Sequence, residues 1–297
     1  MQFDDSFHAM GTDIDVLVVA SRRPIEAFIS LRLLFEEQES LFSRFRNSSL
    51  LSRLNGGASI EHPRFATACR MALEAHESTG GLFNPMVLPA LLDSGYDRSI
   101  EAVGGGHPRA QRVPDPRSCL VLHGDTVRLR EGALDLGGII KGWTVDLAID
   151  LLEGVDGALI NAGGDLRAAG ANGWQIEVEA PGGGIAWAGD AAGALATSTT
   201  ATRRWLTNGD TMAHHLIDPR TGLPSAGPAA QVSAWGTETW RAECWAKAVR
   251  IRGQVTAGHA RRNGFEVLAL TADGEALCAP VGLGTLPEAP RQAGAAG

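Results

Sequence analysis

The sequence predicts an α+β fold, and three observations support this class. Segments with the hydrophobic pattern of strands occur in antiparallel-looking pairs separated by helices, rather than in strict alternation of strand and helix. No stretch repeats at a fixed period. Hydrophobic residues make up 44% and charged residues 20% of the chain, the ordinary balance of a globular protein. The length of 297 residues allows either one large domain or two closely packed lobes over 1–284. Residues 285–297 are Gly, Ala and Pro with little to bury, so we expect a disordered tail there.

Hydrophobic periodicity predicts the elements of the first third. Residues 13–20 alternate and then become apolar, as in a strand, and the apolar positions between 24 and 41 fit an amphipathic helix. Residues 48–55 have the pattern of a short helix with a serine cap. Residues 63–79 are predicted to be helical, and Asn84 is expected to be extended because it precedes proline.

The rest of the chain is predicted in the same way. Residues 99–118 are rich in Gly, Pro and Arg without periodicity, which indicates a surface loop. Strands are predicted at 119–123, 126–130, 158–160, 174–179, 185–188 and 265–271, and helices at about 141–153 and at 239–251.

Residues 134–146 combine an apolar strand, a double-glycine turn and the start of a helix. Gly137 and Gly138 let the backbone approach a ligand closely, and a helix start offers unpaired N–H groups at the positive end of its dipole. Lys141 adds a full positive charge at the same place. This is the layout of a phosphate cradle, but Gly-Gly turns also join strands to helices without any ligand, so both interpretations stay open on this stretch alone.

Charge, cysteine spacing and the N-terminal sequence restrict the function. The formal net charge of −8 disfavours nucleic acid or an anionic membrane as partner, so a phosphate-bearing ligand has to be held by local groups. The four cysteines lie far apart without a CxxC pair, which disfavours a zinc or redox motif. Because no basic and apolar leader and no run of eighteen apolar residues occurs, we expect a cytoplasmic protein without membrane insertion.

Several turns together resemble the FAD:protein FMN transferases, the ApbE family, in order and approximate spacing over nearly the whole chain. The matching motifs are Met10-Gly11-Thr12, Phe42–Phe45 with Ser49–Asn55, Thr79–Pro85, Leu134–Gly142, Asn161–Asp165, Thr197-Ser198 and His215–Gly222. The resemblance implies an α+β fold of two closely packed lobes with mixed or antiparallel sheets. It implies that FAD lies in the groove between these lobes, with magnesium at its pyrophosphate. It also implies that the FMN half passes to a Thr or Ser hydroxyl of an acceptor flavoprotein while AMP leaves.

The resemblance also implies roles for individual residues. His215 takes the position of the catalytic histidine, a base for the incoming hydroxyl. Phe45 matches an aromatic residue that stacks on adenine, where tyrosine is usual. The other cofactor-binding candidates are Met10, Leu82, Phe83, Asn84 (Asp in relatives), Gly137, Gly138, Lys141, Trp143, Thr197, Ser198 and Ile217. On residue type alone, Phe45 and Phe83 fit a hydrophobic core equally well, and His215 fits a histidine that hydrogen-bonds a strand end.

The segment that would bind magnesium departs from the family pattern. Relatives use an Asp and a Thr four residues later, where this chain has Glu243 and Lys247. Glu243 can still ligate a hard cation, helped by the backbone carbonyl of Ile140, but an ammonium cannot. We therefore expect Lys247 to take the metal's place at the pyrophosphate and to act as a catalytic cation. The alternative is an i,i+4 ion pair with Glu243 on an exposed helix face.

The sequence thus predicts an FAD-binding flavin transferase and leaves magnesium open. The first alternative is a degenerate or redirected FAD-binding protein, such as a flavin carrier, a reductase or an FAD-cleaving enzyme, without magnesium-dependent transfer. The second is a ligand-free interaction domain on the same fold. The flavin colour of the purified protein separates the second alternative from the others.

Overall fold

The computed structural model describes residues 1–97, 103–170, 173–191 and 193–283. The predicted tail over 285–297, and residues 99–102 of the predicted loop, lie outside the described residues. The helices are α1 (Ile25–Phe42), α2 (Leu50–Asn55), α3 (Pro63–Ser78), α4 (Leu88–Asp93), α5 (Pro116–Cys119), α6 (Ile140–Asp150), α7 (Thr239–Arg252) and α8 (Gln254–Arg262), with a 3₁₀ turn at Pro85–Val87. The strands are β1 (Gln2–Ala9), β2 (Thr12–Val19), β3 (Ile60–Glu61), β4 (Leu120–His123), β5 (Thr126–Leu129), β6 (Gly157–Ala162), β7 (Asp165–Gly170), β8 (Trp174–Glu179), β9 (Ile185–Ala191), β10 (Gly193–Thr199), β11 (Arg204–Leu206), β12 (Met212–His214), β13 (Ile217–Asp218), β14 (Leu223–Pro224), β15 (Gln231–Gly236), β16 (Glu266–Leu270) and β17 (Ala276–Cys278).

An eight-stranded sheet in the order β1-β2-β6-β7-β10-β15-β16-β17 forms the larger part of the fold. All of its neighbouring strands pair antiparallel. Alternation along β2 sends Ile14, Val16 and Val18 into a core shared with α1 and α6, while Leu17 faces the opposite side, against the β8–β9 hairpin. The predicted α+β class is confirmed, and the sheets of the described residues are antiparallel.

A second hydrophobic core lies between α2, α3 and the small sheet β3-β5-β4. The rings of Phe42 and Phe65 stack there, with centroids 5.5 Å apart. Ile140 of α6 and Trp240 of α7 belong to the same core, so these two helices join it to the large sheet. Among the described residues, no helix is both long enough and apolar enough to cross a membrane.

Helices α6 and α7 cross at Gly142, and this crossing fixes the floor of the groove described below. A Cβ atom at position 142 would lie 2.8 Å from both the N and the Cα of Trp240. Only glycine allows the two helix backbones to approach this closely. The carboxylate of Asp146 accepts hydrogen bonds from the backbone N–H groups of Thr239 and Trp240, and so caps α7 from α6.

Two predictions about local structure were wrong. Leu134–Leu136 is not a strand, because the Asn55 side chain replaces a neighbouring strand: its Nδ2 donates to the Leu134 carbonyl at 2.9 Å and its Oδ1 accepts from the Leu134 N–H at 2.8 Å. The predicted loop ends in α5, because the Asp115 carboxylate accepts a hydrogen bond from the Arg117 N–H and starts a helical turn with Pro116.

Candidate functional site

A groove with a cavity volume of about 380 Å³ lies where the two cores meet. Its walls come from the β1–β2 turn, the end of α1, the segment before the 3₁₀ turn, the glycine turn, residues 215–217 and α7. Most of the predicted site residues line it, namely Met10, Phe45, Leu82, Phe83, Asn84, Gly137, Gly138, Ile140, Lys141, His215, Ile217, Glu243 and Lys247. The structure therefore brings together residues that are separated by more than 200 positions in the sequence.

The groove is locally positive although the whole chain is negative. Its cationic side chains are Arg44, Arg46, Lys141, Arg203 and Lys247, and its acidic ones are Glu39, Asp135 and Glu243. Five cations against three carboxylates give an excess of two positive charges, whereas the chain as a whole carries −8. This local excess suits an anionic ligand and agrees with the expectation that local groups hold any phosphate.

One end of the groove is a platform of Arg44, Phe45 and Tyr96. The Arg44 guanidinium lies 4.2 Å from the ring centroid of Phe45 and 4.5 Å from that of Tyr96. Its Nε is 2.9 Å from Asp135 Oδ2 and its Nη1 donates to the Tyr96 carbonyl at 2.8 Å, so the cation is fixed in position. Phe45 remains 47% exposed, so placing its ring in the hydrophobic core was wrong. A planar ring that faces the groove is available for stacking.

The glycine turn brings the backbone close to both Phe83 and α7. A Cβ atom at Gly138 would lie 3.0 Å from Phe83 Cε2 and 3.1 Å from Lys247 Cε. Phe83 itself is 6% exposed, so it belongs to the core and lines the groove at the same time. Helix α6 begins at Ile140 without a cap from the Ile139 side chain, and two of its first N–H groups are already bonded: Ile140 donates to the Leu136 carbonyl and Gly142 to the Glu243 carboxylate.

Two ion pairs, each between a half-buried lysine and a buried carboxylate, form a charge cluster beneath the turn: Lys141 with Asp165, and Lys247 with Glu243. Lys141 Nζ bonds to Asp165 Oδ2 and donates to the Ala162 carbonyl at 3.1 Å. Lys247 Nζ lies 2.8 Å from Glu243 Oε1, and Glu243 Oε2 accepts from the Gly142 N–H at 3.3 Å. Glu243 is only 4% exposed, so placing this pair on an exposed helix face was wrong.

The neighbouring charges of the cluster shift the pKa of Asp165 and of Lys247. Burial, aided by the Glu243 charge, raises the pKa of Asp165 to about 7 against the opposing effect of Lys141. Burial by itself would lower the pKa of Lys247, but the nearby carboxylates of Glu243 and Asp165 reverse this and raise it. Lys247 therefore keeps its positive charge at neutral pH although it is largely buried.

His215 lies in the groove with Arg203 and Lys247 close enough to act on its charge. Burial, together with the positive charges of Arg203, Lys247 and His214, lowers the pKa of His215 well below its usual range. Its buried Nδ1 has no hydrogen-bond partner among the described residues. The imidazole is therefore neutral at neutral pH and has a nitrogen free to accept a proton.

Three of the predicted cofactor-binding residues do not line the groove. Trp143 packs against Phe42, with ring centroids 6.1 Å apart. The Thr197 hydroxyl bonds to the Ser233 hydroxyl at 2.8 Å, and Ser198 is 5% exposed within β10.

Asn84 lines the groove, but its side chain is engaged in the fold: Oδ1 accepts from the Met86 N–H and Nδ2 donates to the Pro114 carbonyl.

Sequence reasoning did not identify Arg44, Tyr96, Asp165 and Arg203 as site residues. Arg44 and Asp165 lie inside two of the motifs, so their positions were a signal that could have found them. Tyr96 and Arg203 carry no such signal, because only the packing of distant segments brings them to the groove.

The fold and groove define an α+β protein with a positively charged groove that suits an elongated anionic ligand. The chain belongs to the ApbE family, whose model it matches over residues 10–268. It is 28% identical over 279 residues to the FAD:protein FMN transferase of Treponema pallidum (strain Nichols), covering 82% of this chain and 77% of that protein. It is 27% identical over 242 residues to the enzyme of the same name from Vibrio cholerae serotype O1, covering 74% and 72%.

Solved structures of ApbE proteins share the fold. The ApbE protein of Thermotoga maritima superposes with a TM-score of 0.83 at 21% identity, covering 93% of this chain and 96% of that one. The apo form of the flavinyl transferase ApbE from Pseudomonas stutzeri gives a TM-score of 0.75 at 23% identity, covering 93% of each chain. At these identities the likeness establishes the fold.

Proposed function

We propose that the protein is an FAD:protein FMN transferase, which moves FMN from FAD to a Thr or Ser hydroxyl of an acceptor protein and releases AMP. Curated relatives at 28% and 27% identity carry this name. The single observation that carries the proposal is His215, a neutral imidazole beside Arg203 and Lys247 in the groove, whose Nδ1 has no partner among the residues that the structure describes. A proton acceptor next to two cations is what hydroxyl attack on the phosphoanhydride of a diphosphate requires.

The reaction follows from these groups. The acceptor hydroxyl oxygen forms a bond to the phosphorus of the FMN half, and the bond from that phosphorus to the bridging oxygen of the diphosphate breaks. The bridging oxygen leaves as part of AMP, and the hydroxyl proton passes to His215 Nδ1. Lys247 and Arg203 stabilise the charge on the phosphate oxygens. The bound diphosphate is itself negative, so it raises the depressed pKa of His215 and makes the imidazole a better base.

The platform of Arg44, Phe45 and Tyr96 supports one orientation of FAD along the groove. Adenine stacks on the exposed Phe45 ring, and the diphosphate lies toward the glycine turn and the charge cluster. The acceptor then approaches at the end that contains His215. A cytoplasmic location is part of the same proposal.

The test incubates the purified protein with FAD and a candidate acceptor flavoprotein and measures the intact mass of the acceptor. We expect the mass to rise by one FMN and AMP to appear in equal amount. His215→Asn should abolish transfer while FAD affinity changes little, because a general base acts mainly in the transition state. His8→Asn is the matched control, since His8 is exposed outside the groove. If His215→Asn weakens FAD binding as much as transfer, His215 is a binding residue and the mechanism fails.

The Lys247–Glu243 pair specifically favours a second candidate, an FAD-binding protein without magnesium-dependent transfer. The same incubation separates the two. AMP released without covalent flavin indicates FAD cleavage with water as acceptor, and FAD recovered intact indicates a carrier or reductase. Absence of bound flavin under every condition supports a ligand-free interaction domain.

A further inference from the structure

The charge cluster contains a lysine, Lys247, that lines the groove. Glu243 and Lys247 lie one turn apart on α7, and both line the cavity. The Lys247 side chain is 17% exposed, and its Cε would be 3.1 Å from a Cβ at Gly138. The lysine stem therefore passes along the glycine turn, and the ammonium is held by one carboxylate at the place where the turn and the start of α6 converge.

The oxygens around this point do not form a site for magnesium. Magnesium prefers about six oxygen ligands in near-octahedral geometry. Glu243 Oε1 is bound to Lys247 and Oε2 to the Gly142 N–H, and the Ile140 carbonyl accepts from the Thr144 hydroxyl at 2.6 Å. In the described part of the chain, no group of three or more His, Cys, Asp or Glu is arranged to hold a metal ion.

One carboxylate oxygen of the cluster is free among the described residues, but it is insufficient. Asp165 Oδ1 is buried without a partner, while its other oxygen bonds to Lys141. Waters and substrate phosphates can complete the coordination of magnesium, but the ammonium groups of Lys141 and Lys247 already occupy the carboxylates and repel a divalent cation from this oxygen. Magnesium therefore does not fit the residues that are present.

The same ammonium suits a diphosphate. An ammonium has three N–H donors, and Lys247 gives one to Glu243 among the described residues, so others remain for phosphate oxygens. Arg203 lines the same cavity and adds a second cation near His215. Charge-assisted hydrogen bonds from lysine and arginine are a common way in which proteins hold phosphates without a metal.

We propose that Lys247, positioned by Glu243, supplies the positive charge at the diphosphate in place of a divalent cation, so that the groove binds FAD without magnesium. The inference rests on the proposed function because it takes FAD as the ligand. It concerns binding, and its test therefore does not depend on turnover.

The experiment titrates FAD into ligand-free protein and follows flavin fluorescence, once in EDTA and once in magnesium chloride. We expect the two dissociation constants to agree within about twofold, and both to rise with sodium chloride, because the contact is ionic. Binding that is about tenfold or more tighter with magnesium overturns the inference and leaves the proposed function intact. Absence of FAD binding in both buffers overturns the proposed function itself.

Variants on α7 test the role of the charge. Lys247→Met, which keeps the stem, should raise the dissociation constant in EDTA about tenfold or more, whereas Lys247→Arg should retain most of the affinity. Arg252→Met removes a positive charge from the same helix outside the groove and should have little effect. Lys247→Thr together with Glu243→Asp should create magnesium-dependent binding, and calorimetric titration with magnesium alone should give heat only for this double variant. An unchanged affinity of Lys247→Met, in protein whose circular dichroism matches the unmodified chain, refutes the inference.

Discussion

Gly142→Ala tests whether the close crossing of α6 and α7 holds the site together. The added Cβ would lie 2.8 Å from Trp240 N and Cα and 2.9 Å from the Thr239 carbonyl carbon. All three are backbone atoms, so no side-chain rotation relieves the contact, and the helices have to separate. Overpacking of this kind costs about 1–3 kcal/mol, against a gain of about 0.5–1 kcal/mol from replacing a helical glycine by alanine. We expect a net loss of stability of about 1–2 kcal/mol.

Gly258→Ala provides a matched control, because Gly258 is also within a helix. A Cβ there would meet only the end of the Arg262 side chain, at 3.8 Å, an ordinary van der Waals distance. Alanine at this position therefore gains helix propensity without any overpacking, and we expect it to stabilise the protein by about 0.5–1 kcal/mol. Unfolding in guanidinium chloride, with linear extrapolation to water, gives the free energy of unfolding of each variant for comparison with the unmodified protein.

The prediction extends from stability to ligand binding. The Gly142 N–H donates to Glu243, and Lys141 is the preceding residue, so separation of the helices displaces the charge cluster. FAD affinity should therefore fall for Gly142→Ala and remain unchanged for Gly258→Ala. If Gly142→Ala is as stable as Gly258→Ala and binds FAD normally, the crossing does not govern the site and this reasoning is wrong.

Three further changes test other parts of the structure. Phe45→Ala should weaken FAD binding by about 1–3 kcal/mol if adenine stacks on this ring. Leu33→Ala removes a different exposed side chain, on α1, and should leave FAD binding unchanged. If the two variants bind FAD with equal affinity, adenine does not stack on Phe45. Asn55→Ala leaves both backbone groups of Leu134 without their partners and should lower the unfolding free energy by about 1–3 kcal/mol in denaturant. Burial and the Arg250 charge lower the pKa of His214 to about 4, so the unfolded chain takes up this proton at a higher pH than the folded chain, and the contribution of His214 to stability should fall as the pH drops from about 6.5 to about 4. This loss should reach about 3 kcal/mol and should be absent from His214→Gln; an equal change of unfolding free energy with pH in the two proteins would contradict the assignment.

The sequence by itself determined those features that depend on neighbouring residues. Residues 24–41, 63–79 and 239–251 carry enough helical periodicity to predict α1, α3 and α7 to within a few residues. The cap of α2 is similarly local, since Ser49 accepts from the Ser52 N–H three residues away. The motif order also sufficed for the family, because glycine turns and helix starts have short, recognisable patterns.

Tertiary structure decided how the charges of the site are paired. Lys141 was predicted to offer a free charge, but its partner Asp165 comes from β7, 24 residues away, and only the packing of α6 on the sheet brings them together. The Glu243 carboxylate contacts the Gly142 N–H across 101 residues. No local pattern encodes such pairs, because the crossing of two helices depends on the whole core between them.

The sequence also did not determine which charged residues are buried. The i,i+4 spacing of Glu243 and Lys247 was evident from the sequence, but the same spacing is found in ion pairs that are exposed to water. Helix α7 packs on the large sheet with one side and on the core that contains Phe42 and Phe65 with another, so its polar residues are enclosed as well as its apolar ones. Spacing therefore determined which residues can pair, and the two cores that meet around α7 determined that this pair lies in a groove, where a charge acts on a ligand instead of on water.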